Sequence, residues 1–467
     1  MPIARLLLFV ATLLNISLLA SPTTIVVKTD SVYRFKKAYL YAVTDAFTEH
    51  RVLQDSTTVG ANLTIALRSK AAGTHQLIVS IDRVNCTFFA AENQTYQVFF
   101  QALPKNQART FSNTNEVLPI FYELDEKDIN NRISAFNTHF DQFFDSHLSE
   151  FLDAGFRDVF EKFRLETEEK FKSPSDSFFD EYRHFSFANL ELNIGSSRKL
   201  ITQKYLTGDK FLVENPEWAN FMRKFYQDYV FRFDRLTKNQ PLGTALKNGN
   251  LTDFLNALSG DDLVKKQPKW ADWIAWVVLY TELNENPPKA KQTLQMLENL
   301  GKQTSSAALR QVINHGLSAY QWLKPGSPCY PFQLETLDGT AINLKTLANK
   351  PTLLCFGAAW STLSYKEWRL TQTLIQPIKD SINVVYISLD DDMYGTRDLL
   401  RSSGIASSST CSYLNDPYLI EAMNIISVPQ FVLIDARGKY FKWHASFPSE
   451  ELASDLRAVI KASSQPQ

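Results

Sequence analysis

Trp360-Ser361-Thr362-Leu363-Ser364 places two hydroxyls three residues apart at the start of a segment with helical apolar spacing. A helix start offers unpaired N–H groups and the positive end of the dipole, the setting in which a thiol is driven to thiolate. Serine has no thiolate form near neutral pH, and it acts as a nucleophile only beside a positioned base. No histidine is near in sequence, and His444 falls on the last expected hairpin, so no local nucleophile–base motif supports hydrolase chemistry. Ser361 suits another task. A serine before a helix caps the first turn, worth about 1 kcal/mol, and Glu367 follows near the positive end, as the macrodipole favours.

The remaining sulfur chemistry rests on Cys86, Cys329, Cys355 and Cys411. None forms a C-x-x-C. In an exported protein they are free to pair, and four cysteines allow three fully paired connectivities. Cys355 lies in an apolar run, where a thiol is inert. Cys411 sits in Ser409-Thr-Cys-Ser-Tyr, a polar stretch that allows exposure; the favoured reading is an incidental thiol or half of a disulfide, with a redox role as the alternative. A pairing of Cys329 would be structural. The seven histidines never flank a cysteine at ligand spacing, so no metal site and no cofactor is expected.

The 467 residues suffice for about three domains of roughly 150 residues. Hydrophobic residues make up 44% of the chain, enough to bury cores, and the formal net charge of -1 supplies no field for nucleic acid. Arg5, the apolar run Leu6 to Leu19, and small Ala20 and Ser21 read as a secretory signal over residues 1–20, although Leu18 departs from the small residue preferred at −3. The run is shorter than the roughly 20 residues of a membrane span, and so is Trp273 to Tyr280. No span is expected after cleavage; the competing reading is an uncleaved anchor.

Residues 21–123 carry short segments rich in Val, Ile, Tyr, Phe and Thr, such as TTIVVKT, KKAYLYAVT, NLTIALRS and HQLIVSID, separated by turn signals including Asp55-Ser56 and Gly60-Ala61-Asn62. Such spacing suggests an all-β sandwich. Asn62, Asn85 and Asn93 match glycosylation acceptors, a pattern that strand-rich, Thr-rich sequence produces by chance. Residues 124–323 switch to helical spacing: Phe136, Phe140, Phe143, Phe144 and Phe151, then Phe156, Phe160 and Phe163, with Asp128 placed to cap the first stripe. Aromatic stripes of this kind build the core of an all-α bundle rather than a ligand groove. Later helices are expected at Glu217 to Phe233, Leu251 to Leu258, Trp270 to Leu283 and Lys289 to Leu300, with breaks at Lys238 to Pro241 and Asn286-Pro287-Pro288. Glu166, Glu168 and Glu169 among lysines and arginines read as a solvated helix face.

After the linker Leu323 to Pro328, residues 324–467 alternate. A hairpin (Phe332 to Leu337, Ala341 to Leu344) precedes a buried strand, Thr352 to Gly357, and a helix, Thr362 to Lys379. A second buried strand, Asn383 to Leu389, and a helix at Met393 to Ser402 follow. A hairpin, Gln430 to Ile434 with Tyr440 to Trp443, and the helix Glu450 to Lys461 close the chain. This α/β order resembles the TlpA/ResA-like branch of the thioredoxin superfamily. The features that carry the resemblance are Gly326-x-Pro328, Asp338-Gly339 followed by Ile342-x-Leu344, Lys350-Pro351-Thr352-Leu353-Leu354, Ala358-Ala359-Trp360, and Val428-Pro429-Gln430-Phe431-Val432-Leu433-Ile434-Asp435. It covers about 140 residues, under a third of the chain. The overall layout also resembles multidomain exported proteins of the Bacteroidetes type.

The resemblance implies a cis peptide at Val428–Pro429 and, beside it, a strand edge that binds an extended peptide through β-type hydrogen bonds. In this family the motif after tryptophan is Cys-x-x-Cys, and here Ser361 and Ser364 hold those positions. Thioredoxins proper carry a buried acid five residues before that tryptophan, where this chain has Cys355. The dithiol is therefore absent, while Trp360, Val428 and Pro429 remain as a peptide-binding groove. The expectation is an exported, non-catalytic thioredoxin-like protein that binds a peptide or protein partner in the periplasm or cell envelope. Two alternatives stand beside it: a thiol-disulfide oxidoreductase or peroxidase using Cys411 or Cys355, and a purely structural domain. The sequence sets no oligomeric state.

Overall fold

A computed structural model describes residues 22–463 except 83, 104–114, 151–155, 173–175, 209, 286–289, 391–392, 414–415, 417 and 426. The expected signal segment, Phe151 and the Asn286-Pro287-Pro288 break lie outside the described residues.

The N-terminal region is strand-rich. Strands β1 (Thr23–Thr29), β2 (Lys37–Asp45), β3 (His50–Thr58), β4 (Thr64–Ser69), β5 (Thr74–Ile81), β6 (Val84–Ala91), β7 (Thr95–Phe100), β8 (Asn115–Val117) and β9 (Ile120–Phe121) form two sheets, ordered β4-β1-β7-β9 and β3-β2-β5-β6-β8. Alternate residues such as Ile25, Val27, Leu77, Val79, Tyr96 and Val98 point into one buried cluster shared by both sheets. Asp55-Ser56, read from sequence as a turn, lies within edge strand β3. That strand buries no residue, so it carries no apolar alternation to betray it. Asn85 is 8% exposed inside β6 and unsuited to carry a glycan.

The central region is helical: α1 (Ile129–His147), α2 (Phe156–Lys170), α3 (Ser177–Asn193), α4 (Arg198–Tyr205), α5 (Pro216–Tyr226), α6 (Tyr229–Leu236), α7 (Pro241–Asn248), α8 (Leu251–Leu258), α9 (Asp262–Lys266), α10 (Trp270–Glu285), α11 (Ala290–Gln303) and α12 (Ala307–Gln321). Phe136, Phe143, Phe160 and Phe163 are core residues; the rings of Phe143 and Phe163 stack at 3.8 Å. The Asp128 carboxylate accepts from the Asn130 N–H at 2.8 Å at the start of α1. The helix expected over Glu217 to Phe233 is two helices, because Asp228 adopts φ 55 between α5 and α6. Arg164 pairs with Glu168 at 2.6 Å on the solvated face of α2.

The C-terminal region holds the hairpin β10 (Gln333–Glu335) and β11 (Ala341–Asn343). It also holds a sheet of β12 (Thr352–Gly357), β13 (Asn383–Ser388), β14 (Thr410–Ser412), β15 (Gln430–Ile434) and β16 (Tyr440–Lys442), ordered β14-β13-β12-β15-β16. Strands β12, β13 and β14 run parallel to one another, and β15 pairs antiparallel with both β12 and β16. Helices α13 (Thr362–Ile375), α14 (Met393–Ser403), α15 (Tyr418–Ala422) and α16 (Leu452–Ser463) accompany it. The sheet is buried on both faces, as its continuous apolar runs require. Leu353, Cys355, Phe431 and Leu433 share a cluster with Trp368, Leu399, Leu452 and Val459. Their neighbours Leu354, Phe356, Val432 and Ile434 belong to the large cluster that includes the helical region. Tyr320 of α12 and Trp443 meet there at 5.3 Å. The segment expected as a linker is bonded into the sheet edge: Gly326 N–H donates to the Tyr440 carbonyl at 2.7 Å, and just beyond it Cys329 N–H donates to that of Gly438 at 2.9 Å.

Candidate functional site

The site forms where β12 ends and α13 begins. Ser361 has extended backbone, φ -106 and ψ 104, and its Oγ accepts from the Ser364 N–H at 3.3 Å, so it is the N-cap. The same hydroxyl donates to the Val428 carbonyl at 3.3 Å. The Val428–Pro429 peptide is cis. One side chain thus joins the helix start to the loop preceding β15, two segments 67 residues apart in the chain.

Ser364 is fully buried, and its Oγ accepts from the Ala358 N–H at 3.3 Å. Both hydroxyls have backbone partners. Among the described residues no histidine bonds to either serine, and His444 sits buried against Trp443 with Nε2 unbonded. Burial, with Lys442 close by, pushes the His444 pKa from 6.5 down to about 3. Glu367 is fully buried in α13 and accepts from the Ser449 N–H at 3.0 Å and its hydroxyl at 2.8 Å.

Sequence reasoning missed Asp390. Its carboxylate, 6% exposed, accepts from the Ala359 N–H at 2.9 Å and from Ser388 Oγ at 2.6 Å, while Thr396 Oγ1 donates to Ser388 Oγ at 2.9 Å. The available signal was an acid directly after an apolar parallel strand, the end of an α/β sheet at which polar sites collect. Asp390 fixes the backbone immediately before Trp360.

Trp360 is 63% exposed and Leu363 is 41% exposed, whereas Val428 is half-buried and Pro429 buried. The structure therefore brings Ser361, Ser364 and Val428 into one bonded group and leaves the indole of Trp360 open to solvent at its rim.

The cysteines stand apart from that group. Cys411, whose polar stretch allowed exposure, is fully buried in β14, opposite Ile387. Its polar neighbours concealed a short edge strand that joins the sheet and is covered by the β10–β11 hairpin through a Thr336–Cys411 bridge. Cys355 is fully buried in β12. All four thiols are free. Burial pushes Cys86, Cys329 and Cys411 up to about 12 and Cys355 well above its ordinary value, so each is held as the unreactive thiol at neutral pH. Among the described residues no cluster of His, Cys, Asp and Glu could hold a metal ion.

Known proteins compare as follows. No family model and no curated protein matches the chain. Solved thioredoxin-like structures do. A Bacteroides vulgatus protein assigned as a thiol-disulfide oxidoreductase is 23% identical, covering 30% of this chain and 98% of its own, with a TM-score of 0.26. A Chlorobium tepidum protein assigned as the thiol:disulfide interchange protein DsbE is 20% identical over 30% of this chain and 99% of its own, with a TM-score of 0.27. The C-terminal domain of a Bacteroides thetaiotaomicron protein assigned as a thiol-disulfide oxidoreductase is 20% identical over 30% and 98%, at 0.26. Identities this low speak to fold alone. The thioredoxin-like arrangement of the described C-terminal region is read from its own strand order β14-β13-β12-β15-β16 and the helices that accompany it.

Proposed function

We propose that this chain is an exported thioredoxin-like protein that performs no dithiol exchange and holds an extended peptide or protein partner at the Trp360–Val428–Pro429 edge, in the periplasm or envelope. The observation that carries this is the Ser361 hydroxyl, which caps α13 and donates to the Val428 carbonyl. A side chain so placed keeps the groove's shape without a sulfur. The Val428 carbonyl has a second lone pair for a partner strand, and the exposed indole beside it offers a flat apolar contact of the kind that anchors interfaces. The apolar run Leu6 to Leu19 supports export, and among the described residues no helix is long and apolar enough to cross a membrane. We place the regions at 1–20 (signal), 21–123 (β-sandwich), 124–323 (helical) and 324–467 (thioredoxin-like).

The test pairs two assays on the full chain. Insulin-disulfide reduction shows no turnover above buffer; turnover comparable with a true thioredoxin overturns the reading. Reduced, carboxymethylated α-lactalbumin, an extended chain without disulfides, binds saturably, and Trp360→Ala weakens it by about tenfold, the size of one lost anchor. Equal binding by the variant removes the groove from the proposal. The rival oxidoreductase or peroxidase reading needs a reactive Cys411 or Cys355, and both lie buried as protonated thiols.

A further inference from the structure

The helical region carries a cavity of about 670 Å³ where α4, α5, α6 and α9 meet, well away in sequence from the serine site. That volume is within the roughly 300–1,000 Å³ of small-molecule pockets. Phe225, Tyr226, Tyr229 and Phe233 supply aromatic walls, and Arg198 and Arg232 stand together among them.

The two arginines share one neutral acceptor. An Nη1 hydrogen of Arg198 and an Nη2 hydrogen of Arg232 both go to the Phe225 carbonyl, the latter at 3.0 Å, and Arg232 also donates to the Gln227 carbonyl at 2.8 Å. These carbonyls end α5, whose dipole supplies about half a negative charge, against two full positive charges. Among the described residues no carboxylate lies within ion-pair distance of either guanidinium.

The lining acids are engaged elsewhere. Asp261 accepts from the Tyr229 hydroxyl at 2.8 Å and caps α9 through the Leu263 N–H at 2.8 Å, and Asp262 pairs with Lys265 at 3.6 Å. Asp228, in the turn before α6, favours both cations from a distance. Lys199 and Lys266 add positive charge at the exposed rim. Arg232 Nε is buried with no bond. Burial, reinforced by Arg232, pulls Arg198 down from 12.5 to about 10, the mark of positive charge crowded in half-dry surroundings.

We propose that this cavity binds a small carboxylate with an apolar body, the carboxylate on Arg198 and Arg232 and the body against the aromatic wall. Guanidinium forks match a planar carboxylate bidentately. The proposal is independent of the peptide reading of the serine site.

Isothermal titration of the full chain with decanoate, below its micellar concentration, tests it against decan-1-ol, which has the same chain and no charge. The expected result is one-to-one saturable binding of decanoate, at least tenfold tighter than the alcohol, and at least a tenfold loss in a folded Arg198→Gln, Arg232→Gln double variant. Because both side chains also brace α5, a second readout uses the unaltered protein: decanoate protects Arg198 and Arg232 from phenylglyoxal, read by peptide mass spectrometry. Absence of saturable binding, equal affinity for the alcohol, full binding by the folded variant, or protection confined to other arginines overturns the proposal.

Discussion

Ser361 Oγ lies 3.3 Å from the carbonyl oxygen of Val428 and 3.3 Å from the amide nitrogen of Ser364, donating to the first and accepting from the second. A single hydroxyl therefore ties the first turn of α13 to the cis-proline loop. The sequence positions that resemble a catalytic dithiol are occupied by groups whose bonds are internal to the fold.

Removing that hydroxyl loosens the helix start. Ser361→Ala costs about 1 kcal/mol, the ordinary value of a lost N-cap, which is roughly a fivefold change in a local opening equilibrium. The denaturation midpoint falls accordingly, and amide exchange in the first turn of α13 accelerates by up to that factor while exchange in β12 is unchanged; the Ser364 N–H itself keeps its 2.9 Å bond to the Ser361 carbonyl. An unaltered first turn together with an unaltered denaturation midpoint would refute the cap.

Restoring sulfur separates the two serine positions. A thiol introduced by Ser361→Cys is half-open to solvent at a helix N-terminus and reacts with iodoacetamide, with a pKa below the ordinary value of about 8.5. A thiol introduced by Ser364→Cys is buried and resists alkylation in the native protein. Equal reactivity of the two would contradict the geometry of the site.

The native thiols are silent. Titration with a thiol-specific reagent at pH 8 finds no accessible group in the folded chain and four after denaturation without reductant, because all four are free and buried. Fewer than four in denaturant would reveal a disulfide.

Acid destabilises the protein in part through His444. Its folded pKa of about 3 lies below the ordinary 6.5. The unfolded chain takes up this proton first as pH falls, so stability from this group is complete above pH 6.5 and drains away toward pH 3. The limiting slope is about 1.4 kcal/mol per pH unit for one proton. Denaturation midpoints at pH 7 and pH 5 measure it, and His444→Phe flattens the dependence. An unchanged slope in that variant would assign the effect to other groups.

Gly357 ends β12 directly under the Trp368 ring. A Cβ there would stand 2.6 Å from the indole, which is fully buried. Gly357→Ala overpacks the site and costs about 1–3 kcal/mol, read as a lower denaturation midpoint; a neutral change would mean that the indole can shift aside.

Much of this was legible in the residues. Strands β12 and β15 and helix α8 fall where continuous apolar runs and helical spacing placed them, and Ser361 caps as its position before a helix required. Local patterns suffice there because burial on both faces of a strand, or along one helix stripe, is written as hydrophobicity. Strands β3 and β14 carry no such pattern. β3 is an edge strand with no buried residue, and β14 is three residues held by its pairing with β13. The exposure that its polar stretch allowed for Cys411 failed for that reason.

The sequence alone determined that residues 361 and 364 carry no sulfur and that a helix begins beside them. Tertiary structure decided where the Ser361 hydroxyl goes, because Val428 reaches it only when β15 pairs with β12, whereas the Ala358–Ser364 bond is local to the turn between β12 and α13. It decided that the cysteines are inert, since burial comes from surrounding elements and not from neighbours in the chain. It alone set Arg198 beside Arg232, 34 residues apart in sequence, because α4 and α6 each send a guanidinium to the Phe225 carbonyl at the end of α5, bringing together like charges that no local rule would place side by side.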